Sequence, residues 1–229
     1  MITGAALCPS PPLLHPAVTG QQAVLPELRA ACADAVRRLL REDPEVVVVV
    51  GAAAATGRWD AGSRLDPSAF APAIPSTGTR SLPLALGLGA MLLDQAGYHA
   101  RRELQAIGQD EPASTCVTLG AELAASGART ALLIMGDGSA RRTLKAPGYL
   151  DPRAAAFDAE IETMVRAGEL DALQQLDCQL ARDLMATGRP AWQVLSGAMH
   201  PLRPRTEVLY CDAPLGVAYL VAYLHPWDR

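Results

Sequence analysis

Glu45-Val46-Val47-Val48-Val49-Val50 decides how the chain is read. The valine run has no polar–apolar alternation, so neither side of the segment is built to face water. Valine favours extended backbone, and an unbroken apolar run suits a parallel strand buried on both faces. Working outward toward the N-terminus, Gln21 to Glu42 carries Leu25, Leu28, Cys32, Val36 and Leu39. That spacing of three and four predicts an amphipathic helix. Ile2 to Cys8 then predicts a first strand, so the chain opens as a βαβ unit with a right-handed crossover.

Downstream, Gly51 to Pro83 is rich in Ala, Gly, Pro, Ser and Thr and reads as a long loop, the kind that often carries function. A helix is expected over Pro83 to Ala96, with Gly97 after it, and a strand over Ala100 to Ile107. Ser114 to Ala125 predicts a helix with a serine cap and a stop at Gly127. Arg129 to Met135 predicts a second buried strand. Asp151-Pro152 is an N-cap and N1 pair opening a helix through Ala167. Helices over Glu169 to Ala186 and Ala191 to Met199 follow, then strands over Thr206 to Tyr210 and Val217 to Leu224. No internal repeat interrupts this order. The expected class is α/β: one domain over residues 1–229, a mostly parallel central sheet, and helices on both faces.

Composition narrows the partners. Of the 229 residues, 50% are hydrophobic, enough for one sizeable core, and the formal net charge is −4. Lys145 is the only lysine and no basic stripe stands out, which argues against nucleic acid. No run approaches the roughly 18 apolar residues of a membrane span. The 5 cysteines form no C-x-x-C pair, and Met1-Ile2-Thr3-Gly4 lacks a basic leader, so a reduced cytoplasmic protein is expected. The apolar share of the chain and of its long loop predicts a homo-oligomer.

In open α/β sheets, ligands sit beyond the carboxyl ends of the strands. Three loops qualify: Pro9 to Pro16, Gly51 to Arg58 and Gly136 to Arg142. They are expected to converge at one end of the sheet. The first contains Cys8-Pro9-Ser10-Pro11-Pro12-Leu13-Leu14-His15-Pro16, whose prolines fix a rigid turn.

That turn, together with "SLPLALGLGAMLLDQAG" (81–97), "LLIMGDGSARRTLKAPGYLDPRAAAFDAEI" (132–161) and "APLGVAYLVAYL" (213–224), resembles the class III extradiol ring-cleavage dioxygenases, the B-subunit-like and Memo-like superfamily. The resemblance covers most of the chain. It implies a B-subunit-like α/β domain in which two histidines and a glutamate hold Fe(II), leaving positions for a catechol and O₂. A further histidine serves as acid/base. At the positions that correspond, this chain has Ser10 in the first turn, Ala53 within Gly51 to Thr56 after the buried strand, and Ala140 after Asp137-Gly138-Ser139. Around Gly188-Arg189-Pro190-Ala191 there is no carboxylate, and Asp183 is the nearest.

Serine is a poor ligand for Fe(II) and alanine is none. The resemblance with these departures implies a dioxygenase-like protein that has lost iron-dependent ring cleavage, needs no cofactor and keeps the cleft for a small ligand or partner. The alternative is an active Fe(II) dioxygenase with displaced or partner-supplied ligands. Candidate pocket residues are Ser10, His15, Ala53, Asp137, Ser139, Ala140, Arg141 and Arg142. Asp137 and Ser139 could equally order their own turn. Arg141 and Arg142 suit an anionic group, such as that of an aromatic acid, or an ion pair with Asp151 or Asp158. His15 is flanked by prolines, His200 lies at a helix end, and His99 and His225 read as surface positions. The absence of a G-x-S-x-G elbow leaves a hydrolase a distant possibility.

Overall fold

The computed structural model describes residues 1–20, 22, 24–71, 73–76, 78 and 81–225. Gln21, where the first predicted helical segment opens, lies outside the described residues, as do four positions of the predicted long loop. The strands are β1 (Ile2–Cys8), β2 (Val46–Ala53), β3 (Gly57–Trp59), β4 (Arg102–Gly108), β5 (Thr130–Met135), β6 (Arg205–Asp212) and β7 (Tyr219–His225). The helices are α1 (Pro16–Thr19), α2 (Pro26–Arg41), α3 (Leu84–Gln95), α4 (Ala113–Ala124), α5 (Ala154–Ala167), α6 (Cys178–Asp183) and α7 (Arg189–Met199).

All seven strands form one sheet in the order β3-β4-β2-β5-β1-β7-β6. The four central strands are parallel, while β3, β7 and β6 pair antiparallel at the margins. β1 and β2 are not neighbours, because β5 lies between them.

The valines of β2 explain the missing alternation. Val46, Val48 and Val50 enter one core with residues of α4, α5 and α7, while Val47 and Val49 enter the other with residues of α2 and α3. Side chains alternate between two dry layers, so both sets must be apolar.

α4 and α7 pack backbone to backbone. A Cβ on Gly120 would collide with the Val194 carbonyl oxygen, and one on Gly197 with that of Val117. No other side chain fits there without separating the helices.

Several boundaries differ from the sequence reading. α4 begins at Ala113 with Pro112 as its N-cap, so Ser114 caps nothing. α5 begins at Ala154, because the Asp151 carboxylate accepts from the Arg153 N–H in a turn before the helix. The single helix expected over Glu169 to Ala186 is broken. A 3₁₀ turn (Leu170–Gln175) gives way to extended Leu176, and Asp177 then caps α6 by accepting from the Leu180 N–H at 2.6 Å. β3 escapes prediction because three residues carry no periodicity. No helix among the described residues is long and apolar enough to cross a membrane.

Candidate functional site

The carboxyl ends of β1, β2 and β5 lie side by side, and the turns that leave them are tied together. The Gly136 N–H donates to the Cys8 carbonyl at 3.0 Å, and the Gln109 N–H donates to the Ala53 carbonyl at 3.0 Å. The rigid turn after β1 brings the Ser10 N–H to Asp137 Oδ1 at 2.6 Å. The segment before α7 closes the arrangement. Asp137 N–H donates to Thr187 Oγ1 at 3.2 Å, and Gly188 N–H to the Asp137 carbonyl at 2.9 Å. A Cβ on Gly136 would strike the Gly188 main chain, and one on Gly188 would strike the Trp192 ring, so the close approach needs glycine at both positions.

These turns enclose a cleft of about 270 Å³. Ala52, Ala53, Ala54, Leu84, Ala85 and Met135 make its apolar wall; Ser10, Gln109, Asp137 and Thr187 supply its polar groups. Asp137 is the one ionisable side chain among them. Burial pushes its carboxyl up to about 7, against the opposing pull of the Ser10 N–H.

Beneath the cleft, Arg189 is buried at the start of α7. Its guanidinium donates to the Glu111 carbonyl at 2.6 Å, to Gln193 Oε1 at 3.0 Å and to the Gln109 carbonyl. It fixes the turn that carries Gln109 through that residue's main chain, and its own Nε is buried without a hydrogen-bond partner among the described residues.

Ser10, Ala53 and Asp137 therefore meet in one cleft as the sequence suggests. The rest of the Gly136 to Arg142 loop goes elsewhere. Gly138 N–H donates to the Ala218 carbonyl, and the Ala218 N–H donates to the Ser139 carbonyl, each at 2.8 Å. This pairing turns the chain toward α5. Ser139 is fully buried, its N–H and Oγ both donating to Asp158, at 2.8 and 2.6 Å. Arg142 pairs with the same carboxylate at 3.2 Å, one of the two ion pairs the sequence suggested for it. Both Arg142 and Asp158 line a separate cavity of about 190 Å³ between α5 and β6–β7.

Ala140 is buried, its N–H bonded to the Leu184 carbonyl at 2.9 Å. Arg141 is half-buried, its Nε enclosed without a hydrogen-bond partner among the described residues, and it does not line the cleft. His15 caps α1, accepting from the Ala17 N–H at Nδ1, and burial lowers its pKa. Asp183 pairs with Arg153 at 3.4 Å, and His200 with Asp171 at 3.0 Å, both outside the cleft.

Thr187, Gln109, Leu84 and Met135 were not among the residues singled out from sequence. They come from four separate segments, and no local spacing marks them. Thr187 directly precedes the stretch compared with the glutamate turn of the dioxygenases, and Leu84 and Met135 lie inside quoted stretches of the resemblance, but none of these marks a cleft residue.

The cleft lining does not fit Fe(II). It offers one carboxylate, hydroxyls and an amide, but no imidazole, where the family's iron takes two histidines and a glutamate. No grouping of three or more His, Cys, Asp and Glu suited to a metal occurs among the described residues.

No protein-family model matches the chain. No curated protein matches it either. Among solved structures it is similar to the crystal structure of uncharacterized protein JW3007 from Escherichia coli K12, at 15% identity and a TM-score of 0.58. The match covers 97% of this chain and 99% of that one. At this identity the likeness is one of fold: a single-sheet α/β protein, parallel at its centre, with helices packed around it.

Proposed function

We propose that this chain is a small-molecule-binding protein on an extradiol dioxygenase-like scaffold, working without iron and without ring cleavage. The observation that carries the reading is the cleft at the ends of β1, β2 and β5. It lies where α/β sheets place their ligands, yet its polar groups are Ser10, Gln109, Asp137 and Thr187. An apolar wall with a few convergent polar groups is the usual make-up of a ligand site. The volume suits a molecule the size of a single substituted aromatic ring. Because Arg141 and Arg142 do not line the cleft, an anionic group has no cation to meet there.

Ala53→Trp should fill the cleft from the end of β2. In ¹⁵N-labelled protein, benzyl alcohol should shift the backbone amides of Ser10 and Thr187, and Ala53→Trp should abolish those shifts while keeping the unfolding temperature. Unchanged shifts in the variant would place the fragment elsewhere.

Self-association belongs to the same reading. Leu144, Tyr149, Leu150, Met185 and Leu215 are exposed large hydrophobics. The 143–150 loop links them, since Gly148 lies against Met185, and Thr143 and Ala146 lie against Gly216. Tyr149 and Met185 hold left-handed backbone, at φ 61° and 57°, a conformation costly for large side chains. Nearby Lys145 is exposed, and the Asp151–Arg153–Asp183 pairs bring both signs of charge, a rim that a second copy could complement. Light scattering should give a dimer mass at micromolar concentration, and Tyr149→Asp should return the monomer; a wild-type monomer would refute self-association.

A further inference from the structure

We infer that the cleft selects an amine: a ligand whose ammonium group sits against Asp137 while its apolar body lies along Ala52, Ala53 and Ala54. This rests on the cleft being a ligand site and goes on to name what it takes.

The charge balance of the walls comes first. Among the described residues, Asp137 is the only ionisable side chain that lines the cleft. No arginine lines the cleft: Arg189 donates to the carbonyls of Gln109 and Glu111 with its Nε buried and unpartnered, and Arg142 pairs with Asp158. An anionic ligand would meet like charge with no compensating cation. A neutral ligand would leave the carboxyl group without a counter-charge.

The hydrogen-bonding inventory points the same way. Asp137 Oδ1 accepts from the Ser10 N–H, while Oδ2 has no partner among the described residues. Thr187 Oγ1 accepts one N–H and keeps a second lone pair. Gln109 donates its Nε2 to the Ala186 carbonyl at 3.4 Å, which leaves its amide oxygen as an acceptor. The Ser10 hydroxyl adds another oxygen. The site therefore offers spare acceptors from three side chains around one carboxylate, the two hydroxyls among them able to donate as well. An ammonium group has three donors and no acceptor, and it matches that set in both charge and hydrogen-bond polarity.

The electrostatics of the carboxyl group give further support. A carboxylate withdrawn from water without a cation is costly, and burial already pushes Asp137 toward its neutral form. A bound ammonium supplies the missing charge and restores the ionised form.

Three fragments of one shape separate the possibilities: benzylamine, benzyl alcohol and benzoate, titrated at pH 8 into ¹⁵N-labelled protein while the amides of Ser10 and Asp137 are followed. Benzylamine should saturate the shifts at a concentration roughly tenfold or more below that of benzyl alcohol, the gain of one charged hydrogen bond. Benzoate should bind weakest. Asp137→Asn should bring the amine and the alcohol to the same affinity. Equal affinities in the wild type, or tightest binding of benzoate, would overturn the amine assignment and leave the cleft as a ligand site for another chemistry. If none of the three moves those amides, the cleft reading falls with it. The wild-type comparison decides the matter even if the variant fails to fold.

Discussion

Asp137→Asn should make the protein more stable at pH 8, not less. Burial pushes the Asp137 carboxyl up to about 7 in the folded chain, against 3.8 for a free aspartate. Between these values the unfolded chain releases the proton first, so the folded state binds more protons and loses stability as pH rises. The penalty is absent below pH 4, grows through the window from 4 to 7, and is complete above 7. About three pKa units correspond to at most about 4 kcal/mol. Asparagine keeps the oxygen that accepts from the Ser10 N–H and removes the charge.

For a chain of this size, 1 kcal/mol moves the unfolding temperature by about 2–4 °C. A rise of roughly 5–10 °C at pH 8 is therefore expected, shrinking to nothing by pH 4. Calorimetry of the two proteins across that range checks it, because every other titration cancels in the difference. A variant less stable at every pH would mean that Asp137 is a satisfied structural carboxylate. A residue that weakens its own fold at working pH is the pattern expected of a site kept for binding.

The second large effect lies far from the cleft. Gly197→Ala should destabilise the protein by about 3 kcal/mol or more, since the new methyl meets main chain that cannot rotate aside. Gly120→Ala should behave alike. The two face each other across the same helix crossing: the carbonyl carbon of Gly197 is among the atoms a Cβ on Gly120 would meet, at 3.0 Å. Once one methyl has forced α4 and α7 apart, the second costs less. The double variant should therefore fall well short of the sum of the singles. Denaturant unfolding measures all three, and strict additivity would contradict a shared crossing.

The architecture was most legible where one physical demand acted on every residue of a segment. The valines of β2 and the apolar stripe of α2 answer to burial alone, and they mark their elements plainly. Boundaries set by single hydrogen bonds were harder. Asp177 splits a predicted helix in two, and Asp151 orders a turn where a cap was expected. The strand order could not be read either, because pairing β5 between β1 and β2 leaves no local trace.

The site was legible in half. Ser10 and Asp137 follow parallel strands and Ala53 ends one, and parallel strands bring their ends together. Ser139, Ala140, Arg141 and Arg142 follow the same strand, but the Gly138–Ala218 pairing turns the chain away. That pairing is formed with a segment about eighty residues further on, so spacing within the loop could not disclose it. Thr187 and Gln109 reach the cleft from elements that become neighbours only in the folded chain. The exposed apolar residues around Leu144 and Tyr149 carry no mark in the sequence, because scattered surface apolar residues are ordinary.

Oxygen uptake tests the central claim most directly. The protein is reconstituted anaerobically with Fe(II), freed of unbound metal, analysed for iron, and then given catechol in air-saturated buffer. A cleft walled by Ser10, Ala53 and Thr187, with Asp137 as its one carboxylate, should retain far less than one iron per chain and consume oxygen no faster than buffer. Stoichiometric iron with catechol-dependent oxygen uptake and a ring-cleaved product, lost to a chelator and restored by Fe(II), would contradict the account.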